Sequence, residues 1–342
     1  MHKFLAIAVL TCAGVLSLAP PAAATFPGEN GRIAFRRFLN TEMTWGAVFT
    51  IKPDGTSDRQ VTYPDQGYVD RNPDVSPDGR RIVFEREGVD CGPDCYSDEV
   101  FVVNADGSNL TQLTHNPPGA VCGSGGYCNG SPAWSPDGTQ IAFTRASGVV
   151  EGDLITNVGI YVMDADGSDV RQITQTVSRA LGEDSDPQWS PNGRKIVFQR
   201  WNVRGAQPHG GVGLWTVNVL TGREHRVTPW WLHAGDTPDW SPEGRRILFH
   251  SNVGGPSDES ANLYTIRPNG SQLQQLTFLS GGLVNVLGSS YSPDGTRIVF
   301  ARRPATDGAA DVFVMSVDHT RQITRTSLYD SYPDWGPRPP FP

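Results

Sequence analysis

Pro132-Ala133-Trp134-Ser135-Pro136-Asp137-Gly138 is followed by Ile141-Ala142-Phe143, then by Ile160-Tyr161-Val162-Met163-Asp164, then by Gln172-Ile173-Thr174. The chain repeats this phrase. The apolar triplets Ile33-Ala34-Phe35, Ile82-Val83-Phe84, Ile141-Ala142-Phe143, Ile196-Val197-Phe198, Ile247-Leu248-Phe249 and Ile298-Val299-Phe300 place their phenylalanines 49, 59, 55, 51 and 51 residues apart. Self-similarity at such a period marks a propeller, a solenoid or an array.

Each copy reads as four strands. The triplet is one. A β-branched and aromatic run follows it, as in Val100-Phe101-Val102-Val103 or Leu214-Trp215-Thr216-Val217, and such residues suit a pleated sheet. A short strand ends in Thr62, Thr114, Thr174, Thr228, Thr277 or Thr324. The fourth is the Pro-x-Trp strand at Trp134, Trp189, Trp240 and Trp335, with Val75 and Tyr291 in the weaker copies. Between strands stand Ser-Pro-Asp-Gly, at Ser76, Ser135 and Ser292, and Asp-Gly pairs such as Asp106-Gly107 and Asp166-Gly167. Proline presets the first turn angle and glycine takes the positive φ. Repetition makes these aspartates turn chemistry rather than metal loops.

Four strands in six copies predict an all-β, six-bladed β-propeller. The first copy lacks its Trp strand and the last stops just after Trp335. The ring is therefore expected to close with three N-terminal strands and one C-terminal strand, which leaves no exposed blade edge at the seam.

The x-Pro-x-Trp-Ser-Pro-Asp-Gly-x-x-Ile-x-Phe phrase, with Asn104-Ala105-Asp106-Gly107-Ser108, resembles the repeat of TolB-type propellers, over residues 28–336. The resemblance implies a propeller that works with other cell-envelope proteins. TolB carries an α/β domain before its propeller, for which this sequence has no room. Related propellers in prolyl-oligopeptidase-like enzymes precede a hydrolase domain, and none follows Trp335.

The chain has 342 residues and a formal charge of −8. Residues 1–24 read as a secretory signal peptide: Lys3, an apolar run from Phe4 to Leu18, and Ala22-Ala23-Ala24 before the cut. Cys12 lies inside the run, behind Val9-Leu10-Thr11, a poor lipobox. Residues 25–342 are then one exported propeller domain, secreted or held in the periplasm or envelope. Without Lys3, 27 basic residues face 36 acidic ones and form no basic run, which argues against nucleic acid. No later segment reads as membrane-spanning.

Alternate connections share a face. The short turns lie on one; the long, dissimilar loops 86–99, 115–131, 145–158, 201–213 and 251–262 lie on the other, where binding residues are expected. Cys91, Cys95, Cys122 and Cys128 fall there. An even count in an exported chain suggests disulfides, with Cys91–Cys95 and Cys122–Cys128 as the local pairing and cross-pairing also open. Asp70, Asp184 and Asp330 stand three residues before the motif proline, Asn129 in the same place, and Asp236 two before its own. They are candidates for a polar-ligand or cation site ringing the channel mouth, or for structural hydrogen bonds between blades. His209, His233 and His250 do not recur; with Asp236 they are candidate metal ligands or an acid/base pair. Trp201, Trp230 and Trp231 add aromatics able to stack on sugars. No cofactor is implied beyond a divalent cation at these residues. The reading is a non-catalytic scaffold binding a protein or envelope ligand through the long-loop face. The alternative is a carbohydrate-active enzyme, a polysaccharide lyase or glycoside hydrolase, with its site at the channel mouth.

Overall fold

In the computed structural model the described residues are 27–88, 97–116, 121–122, 125–147, 157–174, 183–202, 211–251, 261–279, 285–304 and 308–340. The 1–24 segment lies outside them. They form an all-β structure with a β-propeller arrangement; a single turn of 3-10 helix, Trp230–Leu232, interrupts the strands. No helix among them is long and apolar enough to cross a membrane.

Each copy folds as the sequence pattern predicts, antiparallel strand on strand. Glu183–Trp189, Lys195–Asn202, Gly211–Asn218 and Glu224–Arg226 are one such four-stranded sheet. The strands fall into five sheets, not six separate ones. The first two copies merge through a parallel contact, Gly46 opposite Val69. The Gly46 N–H donates to the Tyr68 carbonyl there (3.0 Å). A side chain at residue 46 would press on Val69 and Phe38, so glycine permits the approach. The C-terminal strand Asp330–Pro337 pairs antiparallel with Asn30–Phe38, Ile33 opposite Trp335 and Arg37 opposite Asp330. The Pro-x-Trp strands face one another in succession around the centre, and the last touches the first.

The core lies between sheets. The repeated phenylalanines are all buried, and each faces an aromatic on the next strand: Phe35–Phe49, Phe84–Phe101, Phe143–Tyr161, Phe198–Trp215, Phe249–Tyr264 and Phe300–Phe313. Five of these pairs have ring centroids 5.6–6.0 Å apart. Burying each phenylalanine stabilises the fold by about 1.5–3 kcal/mol, and each ring pair adds about 0.5–1.5 kcal/mol.

The turn aspartates serve their own turns. The Asp106 carboxylate accepts from the Ser108 hydroxyl (2.6 Å) and N–H (2.9 Å), which hold its pKa below the usual range, and Asp166 does the same with Ser168.

Candidate functional site: the central cavity

Six inner strands surround a cavity of about 70 Å³. They are Val69–Val75, Gly125–Trp134, Glu183–Trp189, Ala234–Trp240, Asn285–Tyr291 and Asp330–Pro337. Each presents three consecutive residues to it, such as Asn72-Pro73-Asp74 and Tyr332-Pro333-Asp334. In an ideal strand consecutive side chains alternate between faces, so three in a row require a break in register. The break is present in every copy: the ladder shifts between Arg71 and Asp74, between Ser185 and Gln188, and at the matching points elsewhere. The first residue of each triplet, Asn72, Ser131, Asp186, Thr237, Gly288 or Tyr332, has φ between 42° and 86°. Five of these are not glycine, and left-handed backbone is costly for them. A bulge that recurs at such cost is a feature of the architecture.

The third residue of the triplet clasps the next copy. Asp334 accepts the Val75 N–H (2.8 Å), Asp74 the Trp134 N–H (2.8 Å), Asp239 the Tyr291 N–H (2.7 Å), and Ser290 Oγ the Trp335 N–H (3.3 Å). Ala133 has no side-chain acceptor, and the Trp189 N–H turns instead to Gln188 of its own copy (2.9 Å). Burial, and then the charge of Asp334, push the Asp74 carboxyl well above its usual range. Burial pushes Asp334 up to about 6.

That shift carries a stability prediction. Asp334 binds its proton more tightly folded than unfolded, so its contribution is full below about pH 3.8 and is lost as pH rises through about 6. A shift of about two units corresponds to roughly 3 kcal/mol. Asp334→Asn, which keeps the shape and an acceptor for Val75, is expected to be 1–3 kcal/mol more stable than wild type at pH 8. At pH 3.5 it should match wild type. Urea midpoints at the two pH values measure this, and an equal difference at both would refute it.

The aspartates that the sequence nominated are elsewhere engaged. Asp70, Asp184 and Asp330 are fully buried at the start of their inner strands. Each is held by two nitrogens of one arginine: Arg86 at 2.6 and 2.9 Å, Arg200 at 2.5 and 2.7 Å, Arg37 at 2.7 and 2.8 Å. Each also takes a hydrogen bond from the terminal threonine of the preceding copy, Thr62, Thr174 or Thr324. Those threonines accept N–H groups of Val48, Ile160 and Val312. Burial raises all three carboxyl pKa values, against the pull of the arginines. Asn129 keeps the arrangement, accepting from Arg145 (2.7 Å) and donating to Glu99 (3.0 Å). Both oxygens of each aspartate are thus taken by a guanidinium on the adjacent strand of the same sheet, and the threonine ties that pair to the preceding copy.

Two of the three candidate histidines are described. His233 is exposed, with left-handed backbone (φ 43°) after the Trp230–Leu232 turn. His250 is buried on Ile247–Ser251, opposite Gly235. His209 and the Asp236 side chain lie outside the described residues. Among those described, no three of His, Cys, Asp and Glu stand close enough to hold a metal. Cys91 and Cys95 lie outside them, Cys122 is described only in its backbone, and Cys128 is disulfide-bonded. Trp230 packs on Trp215 (6.2 Å), while Trp201 and Trp231 are 50 and 58% exposed.

The cavity acids Asp74, Asp239 and Asp334 went unnoticed in the sequence. Their signal is an acid directly after the motif proline in Pro73-Asp74, Pro238-Asp239 and Pro333-Asp334. The other copies, with Ala133, Gln188 and Ser290, dilute it.

No family model matches the chain. It is 25% identical to the uncharacterized peptidase YuxL of Bacillus subtilis over 219 residues, 55% of this chain and 30% of YuxL. The chain thus spans under a third of that relative's length. It is 39% identical to the Tol-Pal system protein TolB of Gluconobacter oxydans over 124 residues, 35% of this chain and 23% of that protein. TolB from Acinetobacter baumannii superimposes with a TM-score of 0.68 at 18% identity, covering 92% of this chain and 69% of that one. The putative TolB from Agrobacterium tumefaciens gives 0.57 at 19%, covering 90 and 99%. An oligogalacturonate lyase in complex with manganese gives 0.52 at 15%, covering 87 and 74%. The fold of this chain is a TolB-like β-propeller.

Proposed function

We propose that the chain is an exported binding scaffold: a six-bladed propeller, closed by three N-terminal strands and one C-terminal strand, that takes a protein or cell-envelope ligand on its long-loop face. Residues 1–24 are its signal peptide and 25–342 its single domain. Cys91–Cys95 and Cys122–Cys128 pin the loops. The observation that carries this reading is the exposure of Trp201, at the loop end of the Lys195–Asn202 strand, and of Trp231, in the turn that links the same sheet to the next. Exposed tryptophans are the residues most enriched at binding hot spots. The recurring aspartates and arginines, by contrast, are spent on one another inside the fold.

The test is site-specific photo-cross-linking in the cell envelope from residue 201, from residue 231, and from Leu220. Leu220 is 90% exposed on a short turn at the opposite end of its sheet. The same cross-linked species from 201 and 231, and none from 220, is expected. Cross-linking from 220 alone would overturn the assignment of the face.

The second reading, a carbohydrate lyase or hydrolase, is favoured by the same tryptophans and by the fold shared with the oligogalacturonate lyase. It expects a thermal shift with oligosaccharides plus Mn²⁺ or Ca²⁺, since a ligand of the native state raises its apparent stability.

A further inference from the structure

We propose that the central cavity is a receptor for a cationic nitrogen head, the ammonium or guanidinium group of a basic ligand. This goes beyond the loop-face assignment and stands without it, because the cavity lies among the inner strands.

The lining sets the charge. Asp74, Asp186, Asp239 and Asp334 contribute to it, and no Lys, Arg or His does among the described residues. The lining also leaves polar atoms without partners. Ser289 stands where the other copies have proline, is 4% exposed, lines the cavity, and has no hydrogen-bond partner for its Oγ. Thr237 Oγ1 and Asn72 Oδ1, on two other lining residues, are likewise unpartnered. The Asn72 amide nitrogen already donates to Glu85 (3.1 Å), so its free atom is an acceptor. Unmet buried polar groups of this kind call for an occupant. Acceptors dominate, and the fitting occupant donates hydrogen bonds and carries positive charge.

Size and geometry narrow the choice. A water needs about 10–15 Å³ of such space, so the cavity holds roughly five. That is enough for the five heavy atoms of methylguanidinium. Divalent cations want six or more oxygens at about 2.0–2.6 Å, and the described acids are not gathered that closely. An ammonium or guanidinium reaches further through its N–H bonds and meets spread-out acceptors. The prolines Pro73, Pro132, Pro187, Pro238 and Pro333 form rigid apolar walls along which the methylene stem of a basic side chain can lie.

The experiment is calorimetric titration of the full chain at pH 8 with methylguanidinium, with butylamine, and with a capped Gly-Arg-Gly peptide. N-Methylurea is the neutral isostere. Wild type is compared with Asp334→Asn, which is expected to fold, and with Asp239→Asn as a second variant. Saturable binding near one per chain is expected, weakened at least tenfold in either variant and absent for N-methylurea. Tighter binding of the peptide than of the free heads would assign the site to a protein side chain; the reverse would assign it to a free amine. The proposal is overturned if neither head nor peptide binds saturably, if both variants bind like wild type, or if N-methylurea binds as well as methylguanidinium. Cross-linking from residues 201 and 231 that persists in that event leaves the loop-face reading intact and removes this one alone.

Discussion

Arg37→Met is expected to destabilise the protein by about 3–5 kcal/mol, the cost of breaking a buried ion pair from one side. Arg37 is 6% exposed on the Asn30–Phe38 strand. Its guanidinium holds both oxygens of Asp330, reaches Asp58 at 2.5 Å, and lies 4.7 Å over the Phe49 ring. Removing the charge leaves Asp330 fully buried with only its threonine contact. Methionine replaces the apolar stem, so the loss reports the guanidinium, its charge and hydrogen bonds together. The discriminating variant is the double substitution Arg37→Met with Asp330→Leu. Replacing both partners of a buried pair by apolar groups is often neutral, so the double variant should recover most of the loss. Urea unfolding of wild type, Arg37→Met, Asp330→Leu and the double variant forms the cycle. A single variant within 1 kcal/mol of wild type, or a double variant worse than the sum of the singles, would sink this account.

Removal of residues 330–342 should abolish cooperative folding. The Asp330–Pro337 strand supplies hydrogen bonds to Asn30–Phe38, the Asp334 clasp onto Val75, and Trp335, which is 2% exposed. Its loss would open a long strand edge, a template for aggregation. The tail also fits closely. Gly79, at φ +67°, lies against Pro337, where a Cβ would come within 2.3 Å of the Pro337 carbonyl oxygen. Trp335→Ala is the graded form: it keeps the backbone pairing and is expected to cost about 3–5 kcal/mol. Size-exclusion chromatography of the truncation and thermal melts of Trp335→Ala test the point. A monomeric truncated chain with a sharp transition would show that the C-terminal strand is dispensable.

Much of this architecture is legible along the chain. The continuous apolar run in Ile141-Ala142-Phe143 and the turn letters of Ser135-Pro136-Asp137-Gly138 are local signals, set by side-chain shape and backbone preference. They place strands and hairpins in every copy. The functional half of the pattern was harder to read. Asp70, Asp184 and Asp330 recur and are acidic, which is equally the signature of a ligand ring and of a strut. Only the partner decides, and that partner, an arginine two residues after the repeated phenylalanine, comes from cross-strand register. The same holds for Asp74, Asp239 and Asp334, whose direction follows from a bulge that strand alternation does not foretell.

The sequence by itself determined the repeat, the four-strand unit, the turns and the buried phenylalanines, because each depends on neighbours within a few residues. Tertiary structure decided which charges cancel and which face the centre. The physical reason is the left-handed residue before each motif proline or its counterpart. By shifting the register there, it turns Asp74, Asp239 and Asp334 toward the cavity, whereas Asp70, Asp184 and Asp330, before the shift, stay paired with their arginines.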